Sequence, residues 1–355
     1  MIETVQTAVV GVTGYAGAEL ARLLVRHPRL KGKPPVFAGR VDEKDAARGG
    51  VPLGEIHPEL ADSSGTGALR QEPFSWELLE KRGVEVLFLA TPHEQSREWA
   101  PEALARGLRV IDLSGAWRLT EAANRAVYAF EDNDAALAAS TQAQAVYGMP
   151  ELHRARIAGA RLIANPGCYA TSIILPLRPL VAAGLVDLTR GIVADAKSGV
   201  SGAGKAPTAK THYMYAADNL SAYGAFTHRH TGELLEQIGL DAGEIIFTPH
   251  LLPIPRGILS TIYVHFREPR TRAGIAHAYR EFFAGSPMVR IYDKILPQIQ
   301  YSVRTCYADI GFQLAADGRR AVIVSCLDNL LKGASGQAVQ NLNVMLGWPE
   351  AEGLE

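Results

Sequence analysis

The sequence predicts an α/β chain in two parts: an open, doubly wound sheet of parallel strands, then an α+β domain whose sheet is largely antiparallel. Three observations carry that expectation. Short apolar runs alternate with helical stretches up to about residue 165, and loops gather at the strand ends. One of those runs, residues 84–90 (VEVLFLA), is apolar without a break, as in a parallel strand covered on both faces. Past Cys168 the rhythm changes to strand-like runs with few helices between them.

Taken in order, residues 7–10 form a short β-type run that leads into Gly11-Val12-Thr13-Gly14-Tyr15-Ala16-Gly17. Leu20, Leu23 and Leu24 then fall at helical spacing before His27-Pro28 ends the helix. Strand, glycine loop and helix in that order allow a backbone to approach a pyrophosphate at the helix N-terminus. The spacing is GxxGxxG and not the stricter GxGxxG, so a bare βα turn without ligand stays open.

A second run, residues 35–38, ends at Gly39-Arg40, near where a ribose-reading residue is expected. An arginine there can pair with a ribose 2′-phosphate and favours NADP over NAD, although Asp42 and Glu43 stand close by and a merely solvated Arg40 is the other reading. The run at 84–90 stops at Thr91-Pro92-His93, residues 95–106 read as a helix, and residues 109–113 as the next strand. Ligands of such sheets sit beyond the carboxyl ends of the strands. Arg118, just past that last strand, is therefore either an anion clamp or a surface ion-pair partner.

Asn165-Pro166-Gly167-Cys168-Tyr169 follows the apolar Leu162-Ile163-Ala164 and precedes residues 171–175, TSIIL. It reads as a strand end, a turn, and a cysteine entering a helix. Unpaired N–H groups and the helix dipole favour a thiolate there, while burial as a small hydrophobe is the ordinary alternative. The later strand-like runs are 191–197, 244–251, 259–266, 307–314 and 320–327, and residues 329–346 read as a final helix. The boundary falls near residue 165, giving domains 1–165 and 166–328.

At 355 residues with 47% hydrophobic positions the chain is long enough for two cores. Its net charge is −1 and no long segment is dominated by one sign, which argues against nucleic acid or an anionic membrane surface as a partner. No apolar run approaches the ~20 residues of a membrane helix, and Met1-Ile2-Glu3-Thr4 lacks the basic start of a secretory signal. The three cysteines, at 168, 306 and 326, form no CxxC pair, so a reducing cytoplasm is the expected compartment.

Two further motifs carry polar chemistry. Ser198-Gly199-Val200-Ser201-Gly202-Ala203-Gly204-Lys205 nearly spells a phosphate loop, but Ala206 replaces the magnesium-binding hydroxyl and Pro207 breaks the helix such a loop should open. What remains is a loop able to nest a substrate anion, or a plain surface loop. His228-Arg229-His230 sets two imidazoles at i and i+2, which is not zinc spacing, so no metal is expected. One of the pair is a candidate general acid–base for the thiol.

Read together, residues 11–20, Trp117-Arg118-Leu119, residues 165–169, residues 198–204, His228-Arg229-His230, Arg256-Gly257-Ile258-Leu259 and residues 328–333 resemble, in order, the N-acetyl-gamma-glutamyl-phosphate reductase family of the aspartate-semialdehyde dehydrogenase-like group. The resemblance runs from residue 7 to about 350. It implies a Rossmann-type NADP-binding domain completed by the C-terminal helix 329–346, and NADPH-dependent reduction of a small-molecule acyl phosphate through a cysteine thioester in arginine biosynthesis. It places the nucleophile at Cys168 and the acid–base within the histidine pair, with His228 favoured and His230 left to the substrate. Substrate anions map to Arg118 and to Ser198 and Gly199, and cofactor contacts to Gly11, Thr13, Gly14, Tyr15, Ala16, Gly17 and Asn329. A homodimer or homotetramer is implied.

Family members commonly carry proline where this chain has Ala170, and Pro-Glu where it has Gly232-Glu233. These departures keep open the sister reductase of carrier-bound aminoadipyl phosphate in lysine synthesis. Two other classes are a cysteine hydrolase or acyltransferase that needs no nicotinamide, and a non-catalytic dinucleotide-binding redox sensor.

Overall fold

A computed structural model describes residues 4–61 and 69–355. Its contacts divide the chain into two units, one comprising Met1–Arg118, Glu131–Asn165 and Ser335–Glu355, the other Leu119–Phe130 and Pro166–Ala334.

The first unit is built on an eight-stranded sheet. Its strands are β1 (Thr7–Val10), β2 (Val36–Gly39), β3 (Val51–Pro52), β4 (Arg70–Pro73), β5 (Val86–Leu89), β6 (Arg109–Asp112), β7 (Ala145–Tyr147) and β8 (Leu162–Ala164), in the order β3-β4-β2-β1-β5-β6-β8-β7. All neighbours pair in parallel except the two-residue edge strand β3, which runs antiparallel to β4. β1 and β5 are buried at every residue, which is why they read as unbroken apolar runs. The connections turn to opposite sides at β1 and β5, and the glycine loop leaves β1 at that switch point.

Helix α1 (Tyr15–Arg26) buries Leu20, Leu23 and Leu24, the stripe that its spacing announced. α2 (His93–Ala105) follows β5, and α3 (Pro150–Ala158) lies between β7 and β8.

The C-terminal segment joins this unit from Ser335, and its helix is shorter than the 329–346 span read from the sequence. Residues Leu331–Ser335 form a π turn before the second unit's chain gives way to the helix Gly336–Met345, which is buried at every residue. That helix carries buried amides, two of which donate to neighbouring segments of the same unit. Asn341 Nδ2 donates to the carbonyl of Gly148 at 2.7 Å and to Asn165 Oδ1 at 3.0 Å, and Gln340 Nε2 donates to Glu151 Oε1 at 2.9 Å.

The second unit holds a seven-stranded sheet of β9 (Ile192–Gly199), β10 (Ser221–Ala222), β11 (Ile245–Leu252), β12 (Ile258–His265), β13 (Val289–Tyr292), β14 (Ala308–Leu314) and β15 (Arg320–Leu327). Their order is β10-β11-β9-β12-β15-β14-β13, antiparallel except for the β9–β11 and β13–β14 pairs. Helix α4 (Cys168–Ala182) packs on β9, β12 and β15, with α5 (Arg272–Phe282) beside it. β9 and β12 alternate buried and open positions, the signature of a sheet covered on one face.

Residues 119–130 leave the first unit, which no pattern in the sequence announces. Glu236 holds them in the second. Its carboxylate accepts from the backbone N–H groups of Thr120 and Glu121, from Thr120 Oγ1 and from Asn124 Nδ2, all between 2.8 and 3.0 Å.

Candidate active site

Cys168 is the first residue of α4, and Gly167 before it is the N-cap, extended at φ −73° and ψ 150° with no side chain capping the helix. The amides of the first turn therefore face the sulfur's end of the helix, where negative charge is stabilised. Gly333 packs directly on the cysteine: a Cβ there would lie 2.8 Å from Cys168 Cβ. Tyr169, the next residue, is buried and donates its hydroxyl hydrogen to the carbonyl of His250 at 2.7 Å. Burial, followed by the nearby Tyr223, pushes its phenol well up from the usual value, so it stays protonated.

The two histidines are arranged differently from each other. His228 sits in an aromatic cage, its ring centroid 5.6 Å from Tyr169, 5.7 Å from Tyr223 and 5.3 Å from Phe247. Burial first, and the Arg229 guanidinium second, lower its pKa to about 4. The His230 backbone N–H donates to His228 Nδ1 at 3.1 Å, so the neutral ring carries its proton on Nε2.

His230 lies against the cysteine's own turn. A Cβ on Gly167 would fall 2.4 Å from His230 Nε2, so only glycine at 167 admits the ring. Glu233, fully buried, joins the two: Oε2 accepts the Gly167 N–H at 2.9 Å, and Oε1 lies 4.0 Å from His230 Nε2. The sequence favoured His228 of the pair as the acid–base, and the ring packed on Gly167 is that of His230. Glu233 had no role in the sequence reading. Its one signal was its place three residues after His230, one helical turn on.

The 198–204 loop is the segment from which the sequence drew Ser198 and Gly199 as substrate contacts. Its backbone donors are consumed internally: Gly199 N donates to the carbonyl of Gly257 at 2.9 Å, Val200 N to that of Ile254 at 2.9 Å, Ser201 N to that of Pro255 at 3.2 Å and Gly204 N to that of Ser201 at 3.2 Å. Ser198 is buried and its Oγ donates to the Gly199 carbonyl at 3.1 Å. Glycine is needed at 199 for packing, since a Cβ would meet the 254–256 backbone at 2.7–2.9 Å.

Asn329, expected at the cofactor, spends its side chain as a brace, accepting from Gly257 N at 2.8 Å and donating to Ser201 Oγ at 2.9 Å. In the first unit, the Arg118 Nε and Nη2 donate to the carbonyls of Asn165 and Leu113 at 2.8 and 2.9 Å. Arg40 is exposed at the end of β2.

The glycine loop separates into packing and access. Gly11 (φ +98°) and Gly17 are dictated by the fold, since Cβ atoms there would lie 2.4 Å from the Ala90 carbonyl oxygen and 2.1 Å from that of Gly11. Gly14 is not: its Cβ would meet only the Gly11 oxygen, at an ordinary 3.7 Å. α1 begins there with no side-chain cap and no acidic residue in its first turn, a donor set that fits a dinucleotide pyrophosphate. His57, unremarked in the sequence, steadies the loop through Nε2, 2.7 Å from the Val12 carbonyl oxygen. Among the described residues no cluster of three metal-ligating side chains occurs, and no helix is long and apolar enough to cross a membrane.

A nucleotide-binding doubly wound unit, with a second unit that opens a helix on a cysteine beside an imidazole, defines the semialdehyde dehydrogenase class. Residues 6–160 match the family described as semialdehyde dehydrogenase, NAD binding domain, and residues 168–329 the semialdehyde dehydrogenase, dimerisation domain. Solved structures share the fold: aspartate semialdehyde dehydrogenase II of Vibrio cholerae aligns with a TM-score of 0.69 at 17% identity, covering 97% of this chain and 99% of that one. The Candida albicans aspartate semialdehyde dehydrogenase, solved with NADP, aligns at 0.68 and 15% identity, covering 97% and 98%.

Nearer relatives narrow the class. N-acetyl-gamma-glutamyl-phosphate reductase of Symbiobacterium thermophilum is 40% identical over 99% of this chain and 97% of its own length, and that of Geobacter sulfurreducens is 40% identical over 99% and 98%. The chain belongs to the N-acetyl-gamma-glutamyl-phosphate reductase family.

Proposed function

We infer that the chain reduces N-acetyl-γ-glutamyl phosphate to N-acetylglutamate semialdehyde with NADPH, releasing phosphate, as a step of arginine biosynthesis. The observation that carries this is Cys168 at the start of α4 with the His230 ring packed on Gly167.

Cys168 thiolate attacks the acyl carbon, the C–O bond to phosphate breaks, and a thioester forms on the sulfur. His230 takes the thiol proton beforehand, and the nearby Glu233 carboxylate stabilises the imidazolium that results. The first-turn amides of α4 supply donors for the oxyanion. When bound, the nicotinamide cofactor supplies the hydride that brings the thioester carbon to the aldehyde level. The oxyanion that follows then collapses to the aldehyde, the C–S bond breaks with its electron pair on the sulfur, and His230 returns its proton to that sulfur, which restores the thiol.

His228 serves differently. Neutral at working pH, with its proton on Nε2, it donates a hydrogen bond to the substrate and takes no part in proton transfer. Arg118 is the clamp for the leaving phosphate, attached to Asn165 three residues before Cys168. Thr13, Tyr15 and Ala16 join Gly11, Gly14 and Gly17 around the pyrophosphate, and the exposed Arg40 meets the ribose 2′-phosphate, which gives the preference for NADP. None of the three cysteines is in a disulfide, which fits a reducing cytoplasm. The assembly is a homodimer through the unit that matches a dimerisation domain.

The test runs the reaction in reverse, with N-acetylglutamate semialdehyde, phosphate and NADP. Turnover should depend on phosphate, exceed that with the aminoadipate homologue, and vanish in Cys168→Ser while NADPH affinity stays within about twofold. A serine variant that keeps substantial turnover would refute the thioester route.

A further inference from the structure

We propose that a cavity beside His228 is the subsite for the carboxylate head of the N-acylated substrate, with Lys210 and Arg229 as the specificity residues. This rests on the reductase reading of the same unit and deepens it. The substrate carries an anion at each end: the phosphate that leaves, and the α-carboxylate that stays. Each needs a cationic site, and the 198–204 loop, with its amides spent, supplies none for either.

The cavity has a volume of about 550 Å³, and its wall includes Lys210, Tyr223, His228 and Arg229. Two permanent cations line it and no carboxylate does, so its potential favours an anion and repels an ammonium group. Ala222 and Leu251 give it an apolar side that suits an uncharged acyl group. An N-acylated amino acid meets both demands, whereas the same molecule with a bare α-ammonium would set a third positive charge against Lys210 and Arg229.

Edge-on ring contacts lead from the cavity wall to the residue that follows Cys168. Tyr223 in that wall packs edge-on against His228 at 5.7 Å, and His228 against Tyr169 at 5.6 Å, the residue that follows Cys168. A substrate whose acyl carbon is at the sulfur thus extends its short carbon chain past the His228 ring and brings its carboxylate to the two cations.

The experiment measures reverse-direction kinetics for Lys210→Ala, Arg229→Ala, the double variant and Arg229→Lys, with N-acetylglutamate semialdehyde and with its α-methyl ester. In the double variant the KM for the aldehyde should rise about 10- to 100-fold, with kcat and the KM for phosphate within about twofold. Arg229→Lys should recover most of the loss. The methyl ester should show the same raised KM with the unaltered enzyme, and no further rise with the double variant. An unchanged aldehyde KM, a raised phosphate KM, or ester and variant effects that multiply would each overturn the assignment. If the unaltered enzyme fails to turn over the free acid at all, the reductase reading falls and this subsite falls with it.

Discussion

At Gly167 the ring of His230 occupies space that any side chain would fill, and the two histidines of one motif diverge from that point. His230 is held by Glu233 beside the cysteine's turn, and His228 is walled in by Tyr169, Tyr223 and Phe247. Replacing the proton carrier should be the costlier change. His230→Gln should lower kcat by about 10²- to 10⁴-fold, with the thioester still detectable by mass spectrometry after slow acylation. A kcat within about threefold of the unaltered enzyme would return the role to His228. His228 offers a separate readout, in stability. The folded chain protonates it only near pH 4, whereas the unfolded chain does so near 6.5, so stability falls as pH drops through that window. Between pH 7 and pH 5 this group should remove about 2 kcal/mol from the unfolding free energy. Urea melts of His228→Asn should lack that component, and a variant whose pH dependence parallels the unaltered protein would show that the ring is not buried in its neutral form.

The elements were the most legible part of the sequence where one physical demand governed them. β1 and β5 announced themselves because both faces are covered, and α1 because Leu20, Leu23 and Leu24 make one stripe. The 329–346 helix was overrun at its start because Asp328 turns the chain there: its Oδ1 accepts from the N–H groups of Leu330 and Leu331 at 2.8 and 3.2 Å, a side-chain contact that periodicity does not record. The 198–204 loop is hard to read from sequence for the opposite reason. Its glycines look like an open nest, but β9 and the 254–257 segment run so close that its amides find carbonyls. The glycine loop after β1 shows how the two cases can be told apart. Gly17→Ala forces a Cβ into the Gly11 backbone and should cost on the order of 3 kcal/mol of stability. Gly14→Ala meets nothing closer than 3.7 Å and should leave the unfolding midpoint alone while weakening NADPH binding about tenfold, or 1.4 kcal/mol. Equal melting temperatures for the two variants would mean that the loop's glycines are interchangeable.

At the scale of the whole molecule, the sheet of the second unit has one face left over. α4 covers the side that carries Ile192, Ala194, Ile262 and Val264, while Val193 on β9, Ile246 on β11 and Tyr263 on β12 point the other way and are 40, 45 and 44% exposed. The strand register sets these three side by side, Val193 opposite both Ile246 and Tyr263, so they form one apolar row across three strands. Scattered exposed apolar residues need no partner, but a contiguous row on a sheet does. The unit that bears it is also the one that matches a dimerisation domain. If this row is the seam between copies, a carboxylate in it stays hydrated in a separated chain and is buried without a partner in the assembly, at a cost of several kcal/mol per copy. Ile246→Asp and Tyr263→Glu should therefore each reduce the mass measured by light scattering to that of a single chain, with the far-UV spectrum unchanged. Leu137→Asp, an equally exposed apolar position in the first unit, should leave the mass as it was. If both sheet variants keep the assembly intact at micromolar concentration, the copies meet elsewhere, and the open face must be covered by something other than a second copy of this chain.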